Sequence, residues 1–298
     1  MAKRIANVIV DSPIREPLDY LVPADIEIQV GQRCLVPLGT RKVVGIVVGF
    51  SEESRFSKLR EVISRVDDIA PLSFGWLALT SFAARYYQSG WGQVAIPALP
   101  KFFRKLPGKL HERSLERLRK EKKRAVKEPS EKPHLNSEQS AIVEEFQMDG
   151  AFYPALIFGI TGSGKTEVYL HLMEKVLLSD PAAQVLLMVP EINLTPQLVE
   201  RVQSRFPQLE VVSWNSGMAE GQKASSWLAC HEGRARILVG TRLSVFASFK
   251  SLKLILVDEE HDPSFKSQEG VRYNARDLAL KRASIEKIPW KGNSNYLS

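Results

Sequence analysis

Residues Gly159 to Thr166 read GITGSGKT and meet the pattern G-x-x-x-x-G-K-[ST] at every fixed position. Glycines at Gly159, Gly162 and Gly164, with Ser163 between the last two, let the backbone curl so that its N–H groups converge on phosphate oxygens. The apolar run ALIF precedes the motif and TEVYLHLMEKVLL follows it, the strand-then-helix context that a phosphate loop requires. The helix N-terminus adds a partial positive charge. Lys165 can reach the β- and γ-phosphates of a nucleotide, and the Thr166 hydroxyl can ligate Mg²⁺. A second constellation, LKLILVDEEH, runs from Leu252 to His261. A carboxylate at the end of a buried parallel strand stands at the sheet edge where ligands bind. Asp258 is therefore the expected metal-holding residue. Glu259 is the expected residue to orient or deprotonate an attacking water. His261 is expected to couple the nucleotide to DNA or to a second lobe rather than to bind metal. Gln139, in LNSEQ, offers a donor and an acceptor to an adenine edge. ATP and Mg²⁺ are the expected cofactors.

Two further loops follow apolar strands, VPEINLTPQ (Val189 to Gln197) and GTRLSVF (Gly240 to Phe246). They could present Thr195, Thr241 and Arg242 to a phosphate backbone. They could equally be ordinary turns with helix caps. The stretch Pro263 to Ala279 mixes Phe265 and Tyr273 with Lys266, Arg272 and Arg276. Aromatic faces there are expected to stack bases while the cations hold phosphates.

These motifs must be carried by definite elements. From Leu135, apolar strands (ALIFGI, VLLMVP, VVSW, RILVG, LKLILVD) alternate with helical stretches, the pattern of a parallel sheet covered on both faces. Residues 1–105 are rich in Val, Ile, Pro and Gly. IANVIVD, RCLVPLG and VVGIVVGF read as short strands, and Leu72 to Tyr87 has helical spacing. The expected class is α/β: a RecA-like P-loop parallel sheet preceded by a small β-rich domain. Residues 106–134 form a basic, proline-bracketed linker whose middle could be a solvated helix or a DNA-contacting one. Residues 290–298, the string WKGNSNYLS, read as a polar, divergent tail.

The bulk numbers narrow the class. The 298 residues carry a formal net charge of +7. Lys101 to Lys132 holds 13 Lys/Arg against 5 Asp/Glu, which accounts for that excess. A basic chain favours polyanion partners. No run of about 18 apolar residues is present, so no membrane span is expected. Cys34 and Cys230 are the only cysteines, too few for a disulfide framework or a four-cysteine zinc site, and they fit a cytoplasmic location. Zinc is not expected.

From Leu135 to Pro289 the chain resembles the primosomal protein N′ (PriA) family of bacterial replication-restart helicases, in superfamily two. The strings that carry the resemblance are GITGSGKTEVYL, LLMVPEINLTPQL, ILVGTRLSVF, ILVDEEHDPSFKSQEG and RYNARDLALKRA. PLDYLVP and RCLVPLG extend it to the N-terminal segment. The resemblance implies ATP-dependent 3′-to-5′ DNA unwinding at stalled forks. It implies a DNA 3′-end-binding domain at 1–105 with its pocket on Leu18, Asp19, Gly39 and Arg60, and a first helicase lobe at 135–289. Leu18 and Arg60 stand where some relatives carry an aromatic and a lysine. Forked or single-stranded DNA, primosome proteins and single-stranded DNA-binding protein are the implied partners. The family's winged-helix domain, second lobe and cysteine-rich zinc module find no counterpart here. The expectation is a truncated form that binds ATP weakly and unwinds little or nothing. Two alternatives remain: a non-catalytic fork-binding module and an unrelated P-loop enzyme such as a small-molecule kinase.

Overall fold

The computed structural model describes residues 4–120, 132–146, 151–160 and 162–294. Thr161 of the phosphate loop, the middle of the basic segment and the last four residues of the expected tail lie outside the described residues. The chain divides into two compact units, Met1–Lys120 with Glu220–Ser225, and Glu121–Ala219 with Ser226–Ser298.

The N-terminal unit begins with six strands: β1 (Ile5–Ile9), β2 (Leu18–Leu21), β3 (Arg33–Leu38), β4 (Arg41–Ser51), β5 (Arg60–Glu61) and β6 (Ser64–Val66). Helices α1 (Phe74–Tyr86), α2 (Trp91–Ala98), α3 (Lys101–Arg104) and α4 (His111–Arg119) follow. The sheet order is β5-β2-β1-β4-β3-β6, antiparallel except for the β2–β5 edge pair. Leu38 pairs with Arg41, so Gly39 and Thr40 form a two-residue hairpin turn. Gly39 stands at φ +59, the left-handed region that a primed turn needs at its first position. Alternation puts Ala6, Val8, Tyr20, Cys34, Val36 and Val47 into one core, with Leu18 packed against it.

α4 supplies a helix within the 106–134 segment, packed on the N-terminal unit rather than solvated. Its Leu115 is buried. The His111 ring stacks on Phe102 with centroids 4.6 Å apart. Asp68 receives His111, Arg33 and, on its carbonyl, the Arg119 guanidinium. The positive charge of this segment is thus partly spent inside the N-terminal unit, and the compact fold continues to Lys120.

The second unit carries α5 (Ser137–Glu144), β7 (Pro154–Phe158), α6 (Lys165–Ser179), β8 (Gln184–Met188), α7 (Pro196–Arg205), β9 (Glu210–Trp214), α8 (Glu220–His231, whose start groups with the N-terminal unit), β10 (Ala235–Gly240), β11 (Leu252–Val257), α9 (Ala275–Glu286) and β12 (Trp290–Ser294). Its sheet is wholly parallel, in the order β7-β12-β11-β8-β10-β9. β8 is buried at all five positions and β11 at all but Lys253, because helices cover both faces. The α/β expectation holds, with a β-rich unit before a parallel sheet.

The tail reading does not hold for residues 290–294. They form β12, an internal strand between β7 and β11. α9 ends at Lys287 in the left-handed conformation, φ +54, and the chain turns straight into the sheet. Hydropathy missed the strand because its polar residues are buried with partners. The Lys291 ammonium lies 4.5 Å from the Tyr153 ring centroid and 5.5 Å from that of Phe146. Asn293 is fully buried and hydrogen-bonded.

Candidate nucleotide and DNA site

The phosphate loop leaves β7 and enters α6. Gly162 and Gly164 stand at φ +82 and +81, a backbone that a side chain would resist. Gly164 caps α6, so Lys165 and Thr166 open the helix. The Lys165 ammonium donates to the carbonyls of Gly159 (2.6 Å) and Ile160 (2.9 Å), folded over the loop it would share with phosphate. One residue on, buried Glu167 anchors the helix start through Arg205 Nη1 at 3.0 Å and Arg201 Nη2 at 3.3 Å.

Gln139 reaches this loop in an unexpected way. Asn136 and Gln139 form a capping box on α5, with Gln139 Oε1 accepting the Asn136 N–H at 3.0 Å. Gln139 Nε2 donates to the Ser163 carbonyl at 2.9 Å. Gln139 thus joins the start of α5 to the phosphate loop.

Asp258, Glu259 and Glu260 follow β11 at the same sheet edge as the loop. Burial, the largest effect, pushes the Asp258 carboxyl above its ordinary value; a hydrogen bond from Asn293 opposes this, Glu259 adds to it and the Lys165 charge opposes it. Parallel pairing of β12 with both β7 and β11 brings the end of the strand that leads into the phosphate loop and the end of the strand before Asp258 to one sheet edge. The phenol of buried Tyr169 in α6 is raised well above its ordinary value, by burial first and by the Asp258 charge second. Glu259 takes φ +45, a left-handed backbone uncommon for a residue with a side chain. Its carboxylate accepts Asn193 Nδ2 at 3.0 Å. His261 is exposed, with Ser294 Oγ 3.4 Å from its Nδ1. Hydroxyl and carboxylate oxygens of Thr166 and Asp258 suit a hard cation such as Mg²⁺, which needs one or two protein ligands besides phosphate and water.

Sequence reasoning missed Asn193, Asn293 and the Glu167–Arg205 pair. Asn193 lies inside a loop already singled out, but no spacing rule ties it to Glu259. Asn293 lay in the segment set aside as a tail; the signal available was the α9 pattern followed by Pro289 and Trp290, a helix stop before a short strand.

The aromatic reading of Pro263 to Ala279 is corrected. Phe265 is 1% exposed and Tyr273 7% exposed, with Tyr273 packed edge-on against Phe246 at 5.0 Å. They build the core under the loop and have no open face for a base. Lys266 and Arg272 are exposed. Thr195 caps α7 by accepting the Leu198 N–H at 3.3 Å, and Thr241 is buried. Arg242 is held by the Ser264 carbonyl at 3.4 Å.

In the N-terminal unit, pleating sends Leu18 and Asp19 to opposite faces. Leu18 joins the core. Asp19 accepts Asn7 Nδ2 at 2.9 Å and Ser54 Oγ at 2.6 Å. It lines a cleft of about 620 Å³ with Glu16, Ser51, Arg55 and Trp91. Arg60 donates instead to the Gly39 carbonyl, so these two residues meet each other.

Residues 136–287 match the family described as DEAD/DEAH box helicase, half of the chain. The chain belongs to the DEAD/DEAH box helicase family. Residues 7–100 match the family described as a 3′ DNA-binding domain (3′BD). Over 284 residues the chain is 34% identical to the replication restart protein PriA of Rickettsia felis, covering 95% of this chain and 41% of that protein. The PriA of Haemophilus influenzae is 31% identical, covering 93% of this chain and 47% of that protein. The PriA of Bacillus subtilis is 46% identical over 134 residues, 45% of this chain and 16% of that protein. The chain thus spans under half the length of the curated relatives it matches. Among the described residues, no helix is long and apolar enough to cross a membrane.

Proposed function

We propose that this chain is the DNA-end-binding and nucleotide-binding part of an ATP-driven 3′-to-5′ DNA helicase that acts at abandoned replication forks. The observation that carries the reading is the parallel register through β12, which sets the end of β7, where the phosphate loop begins, and the end of β11, with Asp258 and Glu259 at φ +45, on one sheet edge. Lys165 and the inward N–H groups of the loop bind and orient the nucleotide phosphates. Thr166 and Asp258 would hold Mg²⁺, which neutralises charge developing on those phosphates. Glu259 orients the attacking water or takes its proton. Gln139 tethers the loop. His261 and the loop after β8 link the nucleotide to DNA. The N-terminal unit takes a DNA 3′ end, with Asp19 and its hydrogen-bonded neighbours in the cleft as the recognition group and Gly39 and Arg60 contributing at a separate point. Lys266 and Arg272 contact DNA phosphates. Primosome proteins and single-stranded DNA-binding protein are the further partners, and the cytoplasm is the compartment.

The test is ATP binding and hydrolysis by the full chain, with and without forked DNA, beside Lys165→Ala and Asp19→Ala. DNA-stimulated phosphate release that disappears in Lys165→Ala supports the reading. DNA binding that persists in both variants at unchanged affinity, with no nucleotide binding in any form of the protein, would overturn it.

A further inference from the structure

We infer that Asn293 is a positioning residue that holds the Asp258 carboxylate in the attitude in which it takes a divalent cation. The inference rests on the reading of Asp258 as a cation ligand and adds a residue that no motif marks.

Asn293 is the last residue but one of β12, the internal strand next to β11, and is fully buried. It makes three bonds to three consecutive residues of the acidic turn. Its Nδ2 donates to Asp258 Oδ1 at 2.6 Å. Its Oδ1 accepts the Glu259 N–H at 2.6 Å. Its carbonyl accepts the Glu260 N–H at 2.9 Å. Glu259 is the residue at φ +45, so the bond to its N–H falls on the strained peptide of the turn. A side-chain amide can donate to a carboxylate and accept from a backbone N–H at the same moment while remaining neutral. An aliphatic residue offers neither bond. A carboxylate offers only the acceptor and sets a second negative charge against Asp258. The bond fixes one Asp258 oxygen at the sheet edge where the phosphate loop leaves β7. Because Asn293 touches no reacting atom, its action passes through Asp258 and Glu259.

Such a role differs from that of a buried asparagine that merely completes a strand. A structural asparagine would alter folding and nucleotide affinity alike. A positioning asparagine alters the response to the cation. The experiment titrates a fluorescent ATP analogue into the full chain, once with Mg²⁺ and once with EDTA, for the wild type, Asn293→Ala, Asn293→Ser and Lys165→Ala. Asn293→Ala is expected to keep its metal-free affinity within about twofold and to lose about tenfold of the gain that Mg²⁺ confers, the scale of one hydrogen bond to a charged group. Asn293→Ser, neutral and polar but too short to join the Asp258 carboxylate to the Glu259 N–H, carries the same expectation and replaces the alanine variant if that one fails to fold. Equal loss with and without Mg²⁺, or no loss in either, overturns the inference provided Lys165→Ala still weakens binding. If Lys165→Ala also binds like the wild type, the phosphate-loop reading fails and takes this one with it.

Discussion

Glu167→Ala should loosen the start of α6 more than any substitution on the exposed face of that helix. Glu167 follows Thr166 directly, and its side chain is 8% exposed. It meets Arg205 at 3.0 Å, a guanidinium whose side chain is 2% exposed. Arg201 at 3.3 Å and His171 at 3.4 Å complete the cluster. Removing one partner of a buried pair costs about 3–5 kcal/mol, because the other charge stays buried without compensation. Arg205 would keep Glu174 at 3.5 Å, which is 23% exposed. That places the expected loss near the low end, about 3 kcal/mol. The double variant Glu167→Leu, Arg205→Met removes both charges and should recover most of it, since an apolar pair of similar volume is often neutral. Native-state hydrogen exchange of the α6 and α7 amides measures the opening free energy locally. A loss below about 1 kcal/mol in Glu167→Ala, or a double variant whose loss equals the sum of the singles, would refute the reasoning.

Asn193→Ala frees the Glu259 carboxylate from its 3.0 Å bond and should raise ATP turnover without DNA severalfold while shrinking the DNA stimulation; phosphate release with and without forked DNA checks this, and a fall in basal turnover would contradict it. Phe265→Ala should cost about 3–5 kcal/mol of stability in urea unfolding, as for any large buried aromatic, and leave DNA affinity unchanged at temperatures where it is folded. Lys266→Ala and Arg272→Ala should do the reverse, leaving stability within about 0.5 kcal/mol and reducing the salt dependence of DNA binding. Burial pushes the Cys34 thiol up to about 12 and that of Cys230 higher still, so neither should react with a thiol reagent at pH 8 until the chain unfolds. Labelling of either cysteine in the folded protein, followed by mass spectrometry, would contradict those burials.

The sequence by itself determined the nucleotide chemistry and the class of fold. GITGSGKT between an apolar strand and a helix, and an apolar strand ending in DEE, are local patterns whose chemistry depends on neighbours in the chain. Continuous apolar strands alternating with helices were enough for a parallel sheet. The short strands on either side of Gly39 were equally legible, because their Val-rich composition is local. What the tertiary structure alone decided is which groups meet across strands. Hydropathy sets Trp290–Ser294 aside as polar, yet rings over Lys291 and the acidic turn around Asn293 satisfy those polar groups and make an internal strand of it. Composition cannot tell an aromatic that stacks a base from one that fills a core, and only packing put Phe265 and Tyr273 inside. His111, Arg119 and Asp68 are far apart in sequence, so the docking of α4 could not be read from its charge. The reason is the same in each case: burial of a polar or aromatic side chain is favourable only when its partners arrive from elsewhere in the chain, and that arrival is a property of the fold.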